Sequence, residues 1–120
     1  MPKARQQLGA LGEQAAAEFL LNSGYEILER NYRTLSGELD IVAWAAPVLV
    51  FVEVKARSSY AFGYAEEAVD QRKQEAWTRS AEEYLLDHDL DDDIRFDIIS
   101  VHFSRNGSLL ELCHFTDAIG

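Results

Sequence analysis

One run constrains the fold more than any other part of the chain. Val48-Leu49-Val50-Phe51-Val52-Glu53-Val54-Lys55 is β-branched and aromatic, and it is apolar at odd and even positions alike until Glu53. Successive strand residues point to opposite faces. A strand that is apolar on both faces belongs in a sheet covered on both sides. Glu53 and Lys55 then interrupt the run on one face, about 7 Å apart along the backbone.

A second β-rich run, Glu38 to Trp44, precedes it and is interrupted by Asp40. Between the runs lies Ala45-Ala46-Pro47-Val48. Pro47 has no N–H for a ladder, so it belongs in the connection. A four-residue loop between Trp44 and Leu49 predicts a hairpin. In that register Asp40 stands directly opposite Glu53, and a slip of one residue would turn one of them to the other face.

The remaining elements follow from periodicity. Leu8, Leu11, Ala15, Ala16, Phe19 and Leu20 recur at helical spacing, which predicts a helix from about Gln6 to Asn22 that Gly24 ends. Tyr25 to Tyr32 reads as a strand, with Ser36-Gly37 as a turn. A second helix begins between Ala65 and Asp70 and continues to about Leu86, with Val69, Ala76, Trp77, Ser80 and Tyr84 facing inward. Arg95–Phe103 and Ser108–Phe115 form a hairpin around Asn106-Gly107. Leu49 through the second helix to Phe103 reads as a right-handed parallel crossover. The expected fold is α/β, in the order α-β-β-β-α-β-β, with a mixed central sheet flanked by helices. A length of 120 residues suits a single domain over residues 1–120.

With 48% apolar and 27% charged residues, the composition is that of a globular chain rather than a disordered one. Its longest apolar stretch is far short of the roughly 20 residues of a membrane helix. No basic-then-apolar leader opens the chain, and a single cysteine, Cys113, allows no internal disulfide. A cytoplasmic protein with no membrane partner is expected. The net charge of −10 argues against a protein that coats DNA with a broad basic surface. The charge is lumped, however: seven of the twenty-one acids fall in residues 82–93, with no Lys or Arg among them, and read as a solvated loop.

The chemistry sits where charged residues enter apolar strands. Two carboxylates side by side, Asp40 and Glu53, are costly to bury and raise each other's proton affinity. A hard divalent cation, Mg²⁺ or Mn²⁺, resolves that cost through oxygen ligands. Lys55 adds a point charge for an anion or a water. That set suits phosphodiester hydrolysis. The alternative for the same three residues is a plain salt-bridge cluster in water.

Glu13 falls at the flank of the first helix's apolar face, with Gly9, Gly12 and Ala16 around it. Lys73 lies mid-stripe on the second helix, where it either snorkels outward or aims at an anionic site. Arg57, Ser58 and Ser59 follow the motif strand, either as weaker phosphate contacts or as a plain polar loop. Glu38 is a ligand only if its strand is irregular. Asp97, between Phe96 and Ile98, is expected to anchor Arg95 or a turn, outside the catalytic set. His88, His102 and His114 show no metal-ligand spacing. Cys113 reads as a small buried residue.

Together, Gly12-Glu13, Gly24-Tyr25-x-Ile27-Leu28-x-Arg30-Asn31-Tyr32-Arg33, Gly37-Glu38-Leu39-Asp40-Ile41-Val42, Phe51-Val52-Glu53-Val54-Lys55-x-Arg57, Phe62-Gly63, Ala68-Val69-x-x-x-Lys73 and Arg95-Phe96-Asp97 resemble the YraN family. The resemblance spans about Gly9 to Ala118 and implies a restriction-endonuclease-like fold. Its layout is also similar to that of archaeal Holliday-junction resolvases. It implies that Asp40 and Glu53 are metal-binding acids and that the main-chain carbonyl of Val54 is a further ligand. It implies that Lys55 orients or activates the attacking water and that Glu13 assists the metal site. Lys73 matches a polar residue of the second helix. Leu39 stands where many nucleases of that fold have proline.

The expected function is a Mg²⁺-dependent nuclease acting on DNA, with branched or junction DNA as a candidate substrate and a homodimer as a candidate assembly. Its alternatives are a non-catalytic nucleic-acid-binding module of the same fold, and an acidic protein-interaction domain using residues 82–93.

Overall fold

Two hydrophobic clusters, one on each face of a five-stranded sheet, organise the chain. The computed structural model describes residues 2–58 and 70–119. Its elements are α1 (Pro2–Asn22), β1 (Glu26–Thr34), β2 (Gly37–Ala45), β3 (Val48–Arg57), α2 (Gln71–Asp87), β4 (Asp93–Phe103) and β5 (Leu109–Phe115). The sheet order is β1-β2-β3-β4-β5, antiparallel except for the parallel β3–β4 pair. This is the α/β layout expected from the sequence. None of the helices among the described residues is long and apolar enough to cross a membrane.

The central strand explains the two layers. Val50 and Val52 pack under α1 with Ala16, Ala17 and Leu20, alongside Ile41, Ala43, Ile99 and Val101. Leu49 and Phe51 pack under α2 with Trp77, Ala81 and Tyr84, alongside Leu39, Val42 and Ile98. Alternation along β3 carries Glu53 and Lys55 to the α2 face.

Several boundaries differ from those read in the sequence. α1 begins at Pro2, and β1 continues to Thr34. The β2–β3 register is the expected one, Trp44 opposite Leu49 and Ile41 opposite Val52. Ala45 also pairs with Val48, so the connection shrinks to Ala46-Pro47. Leu11 is largely exposed rather than inward. The expected helical residues 65–69, Val69 included, lie outside the described residues, as do Ser59 and the Phe62-Gly63 motif. Asp70 caps the described start of α2 by accepting the Lys73 amide at 2.9 Å.

The acidic run is more than a solvated loop. Glu83 accepts the Leu35 amide at 2.7 Å and also the Ser36 hydroxyl, and Asp87 accepts the Tyr32 hydroxyl at 3.3 Å. Two of its acids thereby fasten the β1–β2 hairpin to α2. Asp97 does the anchoring expected of it. Fully buried, it takes two bonds from Arg95, one contact from His114 and the amide of Asp117. Cys113 is half-buried rather than buried.

α1 approaches β3 closely at one glycine. A Cβ on Gly12 would meet the Ala56 Cβ at 2.7 Å, whereas one on Gly9 would meet nothing within 4 Å. Gly9→Ala should therefore gain roughly 0.5–1 kcal/mol through helix propensity. Gly12→Ala should lose about 1–3 kcal/mol through overpacking. Urea unfolding of the two variants reads the opposite signs. Stabilisation by both would mean that α1 does not sit this close to the sheet.

Candidate functional site

The site forms where the β2–β3 ladder stops. Pairing ends at Ile41–Val52, one step short of Asp40 and Glu53. On the other side of β2 the Asn31–Asp40 pair is likewise missing, and Asn31 has φ 54°. Asparagine tolerates that left-handed conformation better than most residues. Leu39 and Ile41, two apart, pack in opposite clusters, so alternation breaks at Asp40. The expected face-to-face ladder pairing of Asp40 with Glu53 is replaced by something else. Asp40 Oδ2 accepts the backbone N–H of Val54 at 2.9 Å. One carboxylate oxygen thus stands where a ladder carbonyl would.

Asp40 also shares a side-chain hydrogen bond with Glu53. Burial first, and the Glu53 carboxylate second, push the Asp40 carboxyl up to about 8. A shared proton between close carboxyl groups is the ordinary outcome of such crowding. Carboxylate oxygens of Glu13, Glu38 and Asp40 lie within 4.8 Å of one another. Burial also raises Glu13, against a side-chain hydrogen bond from Asn31 and the charge of Arg30. Lys55 Nζ stands 3.4 Å from Glu53 Oε2, with both side chains partly exposed.

Four acids therefore converge from three elements. α1 supplies Glu13 beside Gly12, β2 supplies Glu38 and Asp40, and β3 supplies Glu53. In an extended strand a residue's N–H and C=O point to the same side. The Val54 carbonyl accordingly faces the gap that its amide shares with Asp40. An all-oxygen set of this kind, with more negative charge than its neighbouring cations offset, fits a hard divalent ion such as Mg²⁺ or Mn²⁺.

Beside this cluster an open cleft of about 200 Å³ runs between the β1–β2 turn and α2. Glu38 and Glu53 line one side, and Lys73, Trp77 and Ser80 line the other. Lys73 is exposed and is one of the residues lining the cleft. Arg57 and Ser58 continue β3 and its end, and the Ser58 carbonyl meets the His102 ring at 3.0 Å.

Sequence reading kept Glu38 only for an irregular strand, and the strand is irregular. It missed Asn31, whose bond to Glu13 ties α1 to β1. An asparagine within a strand, opposite the acid, was the available signal. It also missed Glu83, because nothing local marks a helix glutamate as the holder of a distant turn.

The architecture and the cluster define a small α/β protein with an acidic site at the splayed end of a mixed sheet. Residues 12–101 match the family described as Uncharacterised protein family UPF0102. A UPF0102 protein of Desulforamulus reducens is 45% identical over 118 residues, which cover 96% of this chain and 97% of the relative. One of Alkaliphilus oremlandii is 49% identical over 98 residues, 79% of this chain and 84% of the relative. One of Pelotomaculum thermopropionicum is 42% identical over 119 residues, 98% and 99% of the two chains. The chain belongs to this family.

The raised Asp40 carboxyl fixes the sign of a pH effect. Below about pH 4 the aspartic acid is protonated in folded and unfolded chains alike, so it contributes nothing. Between that pH and about 8 the fold holds a proton that the unfolded chain has released, so stability falls as pH rises. Asp40→Asn keeps an oxygen for the Val54 amide and removes the charge. In EDTA its Tm should match the wild type near pH 4 and exceed it near pH 8 by several degrees. Parallel Tm–pH curves for the two proteins would contradict the crowding.

Proposed function

We propose that this protein is a divalent-metal-dependent nuclease that hydrolyses phosphodiester bonds in nucleic acid, with DNA as its substrate and branched or junction DNA among its targets. The observation that carries the reading is the convergence of Glu13, Glu38, Asp40 and Glu53 with Lys55 alongside. Asp40, Glu53 and the Val54 carbonyl would hold the ion, with Glu13 and Glu38 as outer or additional ligands. Bound there, Mg²⁺ or Mn²⁺ supplies charge for the scissile phosphate and a lowered pKa for a water.

The chain's own groups do the rest. Lys55 Nζ donates to a water or a phosphate oxygen at the rim of the cluster while Glu53 holds its position. Lys73 places a second ammonium across the cleft from Glu53, where a neighbouring phosphate oxygen would lie. Arg57 and Ser58 extend the donor set along β3. Overall acidity of the chain is compatible with this, because the cation and these few donors act locally while distant acids are screened. Cutting both strands of a duplex symmetrically would take two copies.

Mg²⁺ and Mn²⁺ titrations on plasmid, linear duplex and four-way junction DNA test the reading. Cleavage should require the ion and vanish in Asp40→Asn. Lys55→Ala should slow the bond-breaking step by about 10²-fold or more. Lys73→Ala should raise KM more than it lowers kcat, as loss of a ground-state contact does. Undiminished cleavage by Asp40→Asn, or none by the wild type on any substrate, would overturn it.

A further inference from the structure

The β1–β2 hairpin ends in a turn whose construction is unusual for its content. Leu35 is 100% exposed, the only large hydrophobic residue with no burial at all among the described ones. Two-residue hairpin turns favour Asn, Asp and Gly. The turn is also fastened at several points. Glu83 on α2 accepts the Leu35 amide at 2.7 Å and the Ser36 hydroxyl, and Thr34 Oγ1 meets Ser80 Oγ at 2.8 Å and donates to the Gly37 carbonyl at 3.0 Å. A bare apolar side chain is thus presented on a braced turn rather than a loose one. The next residues, Ser36, Gly37 and Glu38, line the cleft that holds Glu53 and Lys73. Leu35 thus directly precedes, along the chain, the residues that line the cleft on which the nuclease reading rests.

Charge gives that position a use. A chain with net charge −10 gains little affinity from a long run of phosphates. Binding beyond the ion site must then draw on contacts that do not depend on charge. An apolar side chain inserted between bases is one such contact, and leucine is among the residues that act as wedges. A braced turn loses little conformational freedom when it binds. Unstacking is cheapest where a base is already unpaired.

From this juxtaposition we propose that Leu35 is a wedge that inserts into the base stack beside the scissile phosphate, and that it makes the enzyme select nucleic acid with unpaired bases at the cut over continuous duplex. The proposal rests on the nuclease reading and adds the substrate feature that the site recognises.

The test uses the full chain with Mg²⁺, a continuous duplex, and the same duplex with two unpaired nucleotides. Each carries 2-aminopurine beside the gap or the matching step. Wild-type protein should cleave the gapped substrate about tenfold or more faster than the duplex, the scale of one base's stacking contact. Its binding should brighten 2-aminopurine. Leu35→Ala, a change at an exposed turn that leaves the core intact, should lose both the preference and the brightening. Leu35→Met should keep both. If wild type and Leu35→Ala share the same preference and the same fluorescence change, the wedge is wrong while the nuclease reading stands. If the wild type cleaves neither these substrates nor plasmid nor four-way junction DNA with Mg²⁺ or Mn²⁺, that reading falls and the wedge falls with it.

Discussion

The hydrogen bond from the Val54 amide to the Asp40 carboxylate is the contact on which the rest of the site depends. A strand amide needs an acceptor when it is removed from water. Here β2 stops supplying backbone carbonyls after the Ile41–Val52 pair, and a side chain takes over. That exchange lets the two strands part without orphaning the amide. It also holds a carboxylate in the gap, next to Glu53 and within reach of Glu13 and Glu38. The opening of the sheet and the gathering of acids are therefore one structural event.

The surroundings divide the labour. Phe51, Leu49 and Trp77 on one face, and Val50, Val52 and Leu20 on the other, fix β3 between two layers. Gly12 brings α1 against Ala56, which places Glu13 at the sheet's end. On β4, Asp97 gathers Arg95, His114 and the Asp117 amide, and the Arg95 guanidinium reaches the Tyr25 hydroxyl at 2.7 Å. Burial pushes the Asp97 carboxyl up, but the bonds from His114, Arg95 and the Asp117 amide, with the Arg95 charge, together hold it below the ordinary value. Asp40 goes the other way, with a carboxylate beside it instead of a cation. Two aspartates on the strands that flank β3 thus differ by their partners: Asp97 meets a guanidinium, an imidazole and an amide, whereas Asp40 has another carboxyl beside it.

Much of this was legible in the sequence, for identifiable reasons. An apolar run on both faces of 48–54 announced a covered sheet, and Pro47 marked the turn that set the β2–β3 register. Asp40, Glu53 and Lys55 stood out because charge inside such strands is costly. What stayed hidden depends on long-range geometry. The break at Asp40 arises from the Val54 amide and the left-handed Asn31 together, residues 14 and 9 positions away along the chain. Leu11 fits the helical stripe by spacing, yet α1 leans on β3 through Gly12 and leaves it in solvent. Glu83 looked like one acid among seven until the fold brought Leu35 and Ser36 beneath it.

The central claim is that these crowded carboxyls share a proton which a hard cation displaces. Calorimetric titration of the metal-free protein with Mn²⁺ near pH 7, repeated in buffers of different ionisation enthalpy, tests it most directly. The account predicts one site, with release of about one proton per ion bound, and loss of both binding and proton release in Asp40→Asn. Binding with no proton released, or equal binding by wild type and Asp40→Asn, would contradict it.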